Sequence, residues 1–398
     1  MYKHQQEIIT KNPKRYLLAL GTGTGKTRIA LHLASQNGTR ALVICPKTQK
    51  EDKTWERECI KMHINPSLLT VISRETFRRD WQSIPQHDTL ILDEAHTLMG
   101  VMPIFRQRKK VLIPKRSQIC EAITDWNALH KPQNVYIATA TPERTPMLIW
   151  SYSTLLGANW DFEAFRTAFY TKLPMPGREV WTPKKDFATK ERLGKAIRGL
   201  GSAIRLEDCF DVPEQTFKTE YLPMTPAIKK EIQDIKLDYP DPIVHFVKAH
   251  QIENGKEKHE RILDYAAEFP KLLIFAKYTE QIEKIAEILS KNKYKVMTLT
   301  GKTKDRRAFF EEANNIAECI IIAQSSISAG YELPDFPCVL FASLSWSWVD
   351  HTQALGRVQR ANALKKNLYV YLVTKGGIDE RAYKTILQKT DFSESKYE

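Results

Sequence analysis

Seven consecutive residues, Gly21-Thr22-Gly23-Thr24-Gly25-Lys26-Thr27, combine glycines with one ammonium and several hydroxyls. They follow an apolar run, YLLAL (16–20), and open a segment of helical pattern over 26–36. In a strand–loop–helix setting, glycines let backbone N–H groups converge on phosphate oxygens at a helix N-terminus. Lys26 then reaches the β- and γ-phosphates, and the Thr27 hydroxyl helps to hold Mg²⁺. Leu20 stands where the strict G-x-x-x-x-G-K-T pattern has its first glycine. Standing alone, such a segment reads equally as a surface turn, so the flanking strand and helix decide. A second constellation, Asp93-Glu94-Ala95-His96, closes the run TLILDEAH (89–96). A buried strand ending in two carboxylates suits Asp93 to bind Mg²⁺ through water and Glu94 to orient or deprotonate an attacking water.

Alternating strands and helices must position these groups. Strand-like runs occur at 16–20, 41–46 (ALVICP), 68–73 (LLTVIS), 89–96 and 135–142 (VYIATATP). The pattern resumes near 271 with KLLIFAKY, then a helix with Ile282, Ile285, Ile288 and Leu289 on one face, then YKVMTLTG, ECIIIAQS, CVLFASL and NLYVYLV. Short continuous apolar strands between helices predict parallel sheets covered on both faces, hence an α/β class with two domains. The boundary is placed near Val212–Pro213, giving 1–212 and 213–398. A basic insertion falls at about 99–120, a helical extension at about 150–205 and a helical insertion at about 226–268, interrupted near YPDP (239–242). Residues 171–186 read as loop. No repeat or low-complexity tract is visible.

The chain has 398 residues, 42% of them hydrophobic, and a net charge of +13. That charge fits a polyanionic partner, or simply a basic enzyme. Six cysteines without a C-x-x-C pair fit reduced buried thiols rather than zinc or a disulfide framework. There is no apolar leader at the start and no run of about 20 apolar residues. The expectation is a cytoplasmic protein without membrane contact.

The ordered motifs resemble the superfamily 2 helicases, DEAH-containing, on the branch of Swi/Snf-type DNA translocases. The resemblance implies two RecA-like lobes with ATP and Mg²⁺ in the cleft between them. Gln5 resembles the adenine-reading glutamine, and Gly21 to Thr27 bind the phosphates. Pro46 and Lys47 (ICPK), and Ser73 and Arg74 (SRE), resemble segments on the nucleic-acid backbone. His96, Thr139 and Thr141 (TATP), with Gly330 and Glu332 (QSSISAGYEL), resemble elements coupling hydrolysis to movement. Lys277, Thr300, Gly301, Ser325 and Ser326 resemble further strand contacts. QALGRVQR implies that Arg357 and Arg360 complete the ATP site from the other lobe, with Gln353 near the γ-phosphate. A planar guanidinium fork suits charge spread over phosphoryl oxygens. RLEDCFDVPEQTFKTEYLPMTP (205–226) and the stretch 150–170 resemble that branch's interlobe region. Two departures stand out: Tyr331-Glu332-Leu333 replaces a glycine-rich run, and Trp346-Ser347-Trp348 replaces Trp-Asn-Pro.

Nucleic acid would meet Arg106, Arg108, Lys109, Lys110, Lys115 and Arg116, unless this run is a solvated loop. A second basic stretch, Lys184 to Arg198, carries the same two readings. Trp346 and Trp348 either stack on bases or pack. The function expected is a DNA-dependent ATPase that translocates on, and unwinds or remodels, single-stranded, duplex or branched DNA. RNA stays open as a substrate. An ATP-switched clamp, or the motor subunit of a restriction or repair assembly, are the alternatives. The expected state is a monomer, with room for protein partners. The short length suggests a motor core of phage or bacterial origin.

Overall fold

The computed structural model describes residues 1–36, 40–108, 111–175, 179–239, 241–303, 305–325, 333, 336–358 and 366–394. It contains two compact units. The first spans Met1–Phe210 with Asp391–Glu398, and the second spans Asp211–Thr390.

The strands of the first unit, in chain order, are β1 (Arg15–Leu20), β2 (Ala41–Cys45), β3 (Leu69–Ser73), β4 (Thr89–Leu92), β5 (Val101–Arg108), β6 (Val111–Arg116), β7 (Asn134–Ala138), β8 (Tyr170–Leu173), β9 (Val180–Pro183) and β10 (Gly201–Ile204). Among the described residues, six of them form one parallel sheet in the order β10-β1-β7-β4-β2-β3. Because neighbours alternate in sequence, every connection crosses over a face, and helices cover both faces. Within β1, Leu17 and Ala19 join one core, packed under the helices Gln118–His130, Pro146–Leu156 and Phe187–Leu200. Leu18 and Leu20 join the opposite core, with Ile8, Ile29, Leu33 and Trp55 from the helices Lys3–Lys11, Lys26–Gln36 and Thr54–Lys61. That two-sided burial makes the strand read as an unbroken apolar run. Each fully buried Leu or Ile contributes about 1.5–3 kcal/mol.

The second unit holds β11 (Thr216–Leu222), β12 (Lys271–Ala276), β13 (Val296–Leu299), β14 (Cys319–Gln324), β15 (Cys338–Phe341) and β16 (Leu368–Thr374). They form a parallel sheet ordered β11-β16-β15-β12-β14-β13. Leu273 and Phe275 of β12 face one core, and Leu272, Ile274 and Ala276 face the other. The insertion at 226–268 is three helices, Pro226–Asp238, Pro242–Glu253 and Lys256–Glu268. Asp241 caps the second through Oδ1, which accepts from Ile243 N and Val244 N.

Three local readings needed correction. The basic insertion is an antiparallel hairpin, β5 with β6, whose Val101 is buried. The stretch read as loop at 171–186 contains most of a second hairpin, β8 with β9. Its Trp181 ring lies 4.2 Å from the guanidinium carbon of the buried Arg166. Third, β10 went unseen. It lies so close to β1 that a Cβ at Gly201 would stand 1.9 Å from the Leu17 carbonyl oxygen.

Candidate active site

The sequence motifs of the first unit fall at the carboxyl ends of its parallel strands. The glycine loop follows β1, Thr139 and Thr141 follow β7, Asp93 and Glu94 follow β4, Pro46 and Lys47 follow β2, and Ser73 ends β3. This is the edge where open parallel sheets hold ligands.

The loop is built from both ends of the unit. Gly23 and Gly25 have φ of +85° and +88°, a region that penalises any Cβ. Gly21 N donates to Ile204 O of β10 (2.8 Å), and the Thr24 hydroxyl donates to Gly21 O (2.7 Å). Gln5 is buried, and its Nε2 donates to Thr24 O (3.0 Å). His4 Nε2 lies 2.9 Å from the same oxygen. A Cβ on Gly25 would stand 2.3 Å from Gln5 Nε2, so that amide lies directly against the loop. Lys26 Nζ donates to Leu20 O (3.0 Å) and Gly21 O (3.1 Å), which holds the ammonium over the loop. Thr22 and Thr27 are half-buried, and Thr27 lies in the first turn of the helix Lys26–Gln36.

Asp93 is 4% exposed, and its Oδ1 accepts from Glu94 N (2.9 Å). Burial, then the charge of Glu94, push its carboxyl up to about 7, against the pull of Lys26 and hydrogen bonds from Glu94 N and Gln49. A carboxylate in this setting regains its charge beside a cation. Among the described residues no group of three His, Cys, Asp or Glu side chains could hold a metal. The Asp93 carboxylate and the Thr27 hydroxyl are hard oxygen donors and suit Mg²⁺, which is usually held by one or two protein ligands plus water and phosphate. Glu94 has a left-handed backbone, φ +47°. Its Oε2 is buried without a hydrogen-bond partner, 3.4 Å from His96 Nδ1. His96 is buried, which lowers its pKa and favours the neutral ring. Its Nδ1 lies 3.1 Å from the Thr139 hydroxyl, and Thr141 N donates to that same oxygen (3.2 Å). The imidazole and the Thr139–Thr141 segment are thus hydrogen-bonded between β4 and β7, with the Glu94 carboxylate beside the ring.

The other positions are scattered by role. Lys47 is exposed and Arg74 half-buried, and each pairs with a local glutamate, Glu51 (3.5 Å) and Glu75 (2.7 Å). Ser73 is buried, and its Oγ accepts from Thr76 N as a helix cap. Pro46 caps the helix Lys47–Glu51 by backbone alone. In the second unit, Lys277, Ser325 and Thr300 with Gly301 follow β12, β14 and β13, which are neighbours in the sheet. Lys277 Nζ lies over the Tyr278 ring (5.0 Å), and Ser325 Oγ donates to Ala276 O (3.2 Å). Gly301 is exposed, and Thr300 N donates to Thr303 Oγ1 (3.1 Å). Gln353 and the buried Arg357 lie on the helix Trp348–Val358. Trp348 packs into the core of the second unit, and the half-buried Trp346 packs against it. Lys109, Lys110, Ser326, Gly330, Glu332 and Arg360 lie outside the described residues.

Residues not singled out from sequence also belong here. Gln49 bonds Asp93 and accepts from Trp55 Nε1 (3.2 Å). The phenol of Tyr152 is fully buried, and burial and the charges of Glu143 and Glu94 raise its pKa. Phe210 meets Tyr2 edge-on at 4.5 Å and brackets His4 beside the loop. Gln49 was within reach, four residues beyond Cys45; Tyr152 carried no signal beyond its apolar helix.

A helicase conserved C-terminal domain matches residues 257–362. The chromatin-remodeling ATPase INO80 of Sclerotinia sclerotiorum is 28% identical over 125 residues, 30% of this chain and 7% of that protein. The chain therefore matches only a small part of such curated relatives. They lend no support to a phage or bacterial source. The Pyrococcus furiosus Hef helicase domain has the same fold, with a TM-score of 0.55 at 15% identity over 97% of this chain and 98% of that one. The Sulfolobus solfataricus SWI2/SNF2 ATPase core, solved with dsDNA, gives a TM-score of 0.41 at 18% identity, covering 99% of this chain and 92% of that one. No helix among the described residues is long and apolar enough to cross a membrane. The chain thus shares the two-lobed fold of helicase cores, and its second unit contains a segment that matches the helicase conserved C-terminal domain and is similar to part of chromatin-remodeling ATPases.

Proposed function

We propose that the chain is a nucleic-acid-dependent ATPase that translocates along DNA and thereby unwinds or remodels it. The observation that carries this reading is the placement of Glu94 against His96, and the hydrogen bond of His96 to Thr139, in the unit that holds the Lys26 loop. It joins the groups suited to hydrolysis to the segment whose family counterpart couples hydrolysis to movement.

ATP with Mg²⁺ supplies the phosphoryl group and the charge-neutralising cation. Lys26 and the loop N–H groups hold the phosphates, Thr27 and Asp93 hold the cation, and Gln5 lies at the adenine side. Glu94, with one carboxylate oxygen unbonded, takes the proton of the attacking water. Arg357 and Arg360 of the second unit stabilise the transferred phosphoryl group. Pro46, Lys47, Ser73, Arg74, Lys109 and Lys110 in the first unit, and Lys277, Thr300, Gly301, Ser325 and Ser326 in the second, contact the nucleic-acid backbone. Gly330 and Glu332 join His96, Thr139 and Thr141 in coupling. The net charge of +13 supports a polyanionic track.

The test is ATP hydrolysis with single-stranded, duplex and forked DNA and with RNA, alongside strand displacement. Lys26→Ala and Glu94→Gln are expected to lower turnover by about 10²–10⁴-fold while DNA binding persists. Undiminished hydrolysis in either purified variant rejects the site. Stimulation by RNA alone rejects the DNA assignment.

A further inference from the structure

At the edge of the second sheet, where β11 and β16 finish, lies a groove lined by none of the residues assigned to ATP or to the nucleic-acid backbone. Its volume is about 560 Å³, within the roughly 300–1,000 Å³ of ligand-holding clefts. Its floor is apolar: Met224, Ile232, Pro242, Phe246, Ala249 and Ile378. The rim is cationic: Lys229 and Lys236 on one side and Arg381 on the other, all exposed. Lys229, Ile232, Gln233 and Lys236 have the i, i+3, i+4, i+7 spacing of one helix face, so the helix Pro226–Asp238 presents a single stripe to the groove. The facing wall is His245, Phe246, Ala249 and Glu253 of the helix Pro242–Glu253.

The charges of this rim are not balanced locally. None of Lys229, Lys236 and Arg381 is in an ion pair among the described residues. The helix also carries Glu231, Asp234 and Asp238, but none of them lines the groove. The one lining carboxylate, Glu253, is turned away. It accepts from Ile378 N (2.7 and 2.9 Å) and Asp379 N (3.3 Å), at the start of the helix Ile378–Glu394. Beside the groove, Ile243 is 76% exposed and Val244 42%. An apolar floor, an uncompensated cationic rim and adjacent exposed aliphatics call for a ligand with apolar side chains flanked by carboxylates.

We propose that this groove docks an acidic amphipathic segment of a partner protein. Nucleic acid fits less well, because phosphates have no use for an aliphatic floor and because Phe246 is engaged with Trp346 (6.0 Å) and Tyr239 with Lys248 (6.0 Å). The segment lays its apolar side chains on Ile232, Phe246 and Ile378, and its carboxylates reach Lys229, Lys236 and Arg381. The rim steers the encounter and the floor supplies the burial. The inference does not depend on the ATPase reading, since no residue proposed for hydrolysis or backbone contact lines the groove.

The probe is a fluorescein-labelled helical peptide with Leu at i, i+3, i+4 and i+7 and Glu at its exposed positions. Anisotropy is read with the full chain. Binding is expected to weaken with added salt. It is also expected to weaken at least tenfold with Lys229→Glu/Lys236→Glu/Arg381→Glu, and separately with Ile232→Ser. The charge-reversed chain should keep its far-ultraviolet dichroism and basal ATP hydrolysis, which excludes misfolding as the cause. A peptide with Lys in place of Glu should not bind. Equal binding by the charge-reversed chain, equal binding of the Lys peptide, or displacement of the peptide by a single-stranded oligonucleotide in a chain that keeps rim-dependent oligonucleotide binding would each overturn the proposal.

Discussion

Asp379→Ala tests the polar centre of the second unit. Lys258 is 1% exposed, and its Nζ donates to Asp379 Oδ2 (2.6 Å), Asn254 Oδ1 (2.7 Å) and Ala342 O (2.7 Å). The other carboxylate oxygen lies 2.8 Å from His250 Nε2, and His250 Nδ1 lies 2.9 Å from the Tyr278 hydroxyl. Burial pulls the Lys258 pKa down despite Asp379. For Asp379, burial acts upward, but Lys258 and His250 outweigh it and hold the carboxyl at about 2. Removing the carboxylate leaves a buried ammonium with neutral acceptors only, which costs about 3–5 kcal/mol. The lost acceptor for His250 belongs to the same network and does not add independently. With two units a single unfolding free energy is ill-defined, so the readout is native-state hydrogen exchange, resolved by strand. At about 1.4 kcal/mol per factor of ten, the slowest amides of β12, β15 and β16 should exchange about 10²–10⁴-fold faster. Those of β1 and β7 should not change. Adding Lys258→Met should restore most of the protection. The sign in pH follows from a folded pKa below the unfolded value of about 3.9. The stabilisation is present above about pH 4 and is lost as pH falls through about 2. A change under threefold in the second unit, or a double variant no better than the single, refutes the reasoning.

Two further variants bear on the first unit. Gly201→Ala, whose Cβ would collide with the Leu17 carbonyl, should cost about 1–3 kcal/mol or more and lower affinity for fluorescent ATP by loosening the Ile204–Gly21 bond; an unchanged melting temperature and affinity would remove β10 from the account. His96→Ala cuts the contact to Thr139, so basal ATP hydrolysis should persist while its stimulation by DNA falls; a preserved stimulation ratio means that coupling runs elsewhere.

The strands around the site were legible because burial on both faces writes them as apolar runs, and because the glycine loop is a local signal. What escaped was set at long range. GSAI is a strand only because β1 offers it an edge. Lys258 and Asp379 meet across 121 residues, with no spacing rule to announce them. The hairpin at Val101–Arg116 was masked by its basic residues, which suggested solvent.

The position of β1 in its sheet has a consequence for synthesis. Its partners are β7 and β10, both far downstream, and the bond between Tyr16 and Ser202 spans 186 residues. During translation the strand that carries the glycine loop has no neighbour until residues 134–138 have emerged, and only one until residues 201–204 have. Such non-local closure slows folding and leaves an apolar strand exposed meanwhile. Ribosome-bound fragments ending before residue 134 should therefore engage chaperones through the loop strand, and the nascent chain should become competent to retain nucleotide only late, when β10 closes on β1.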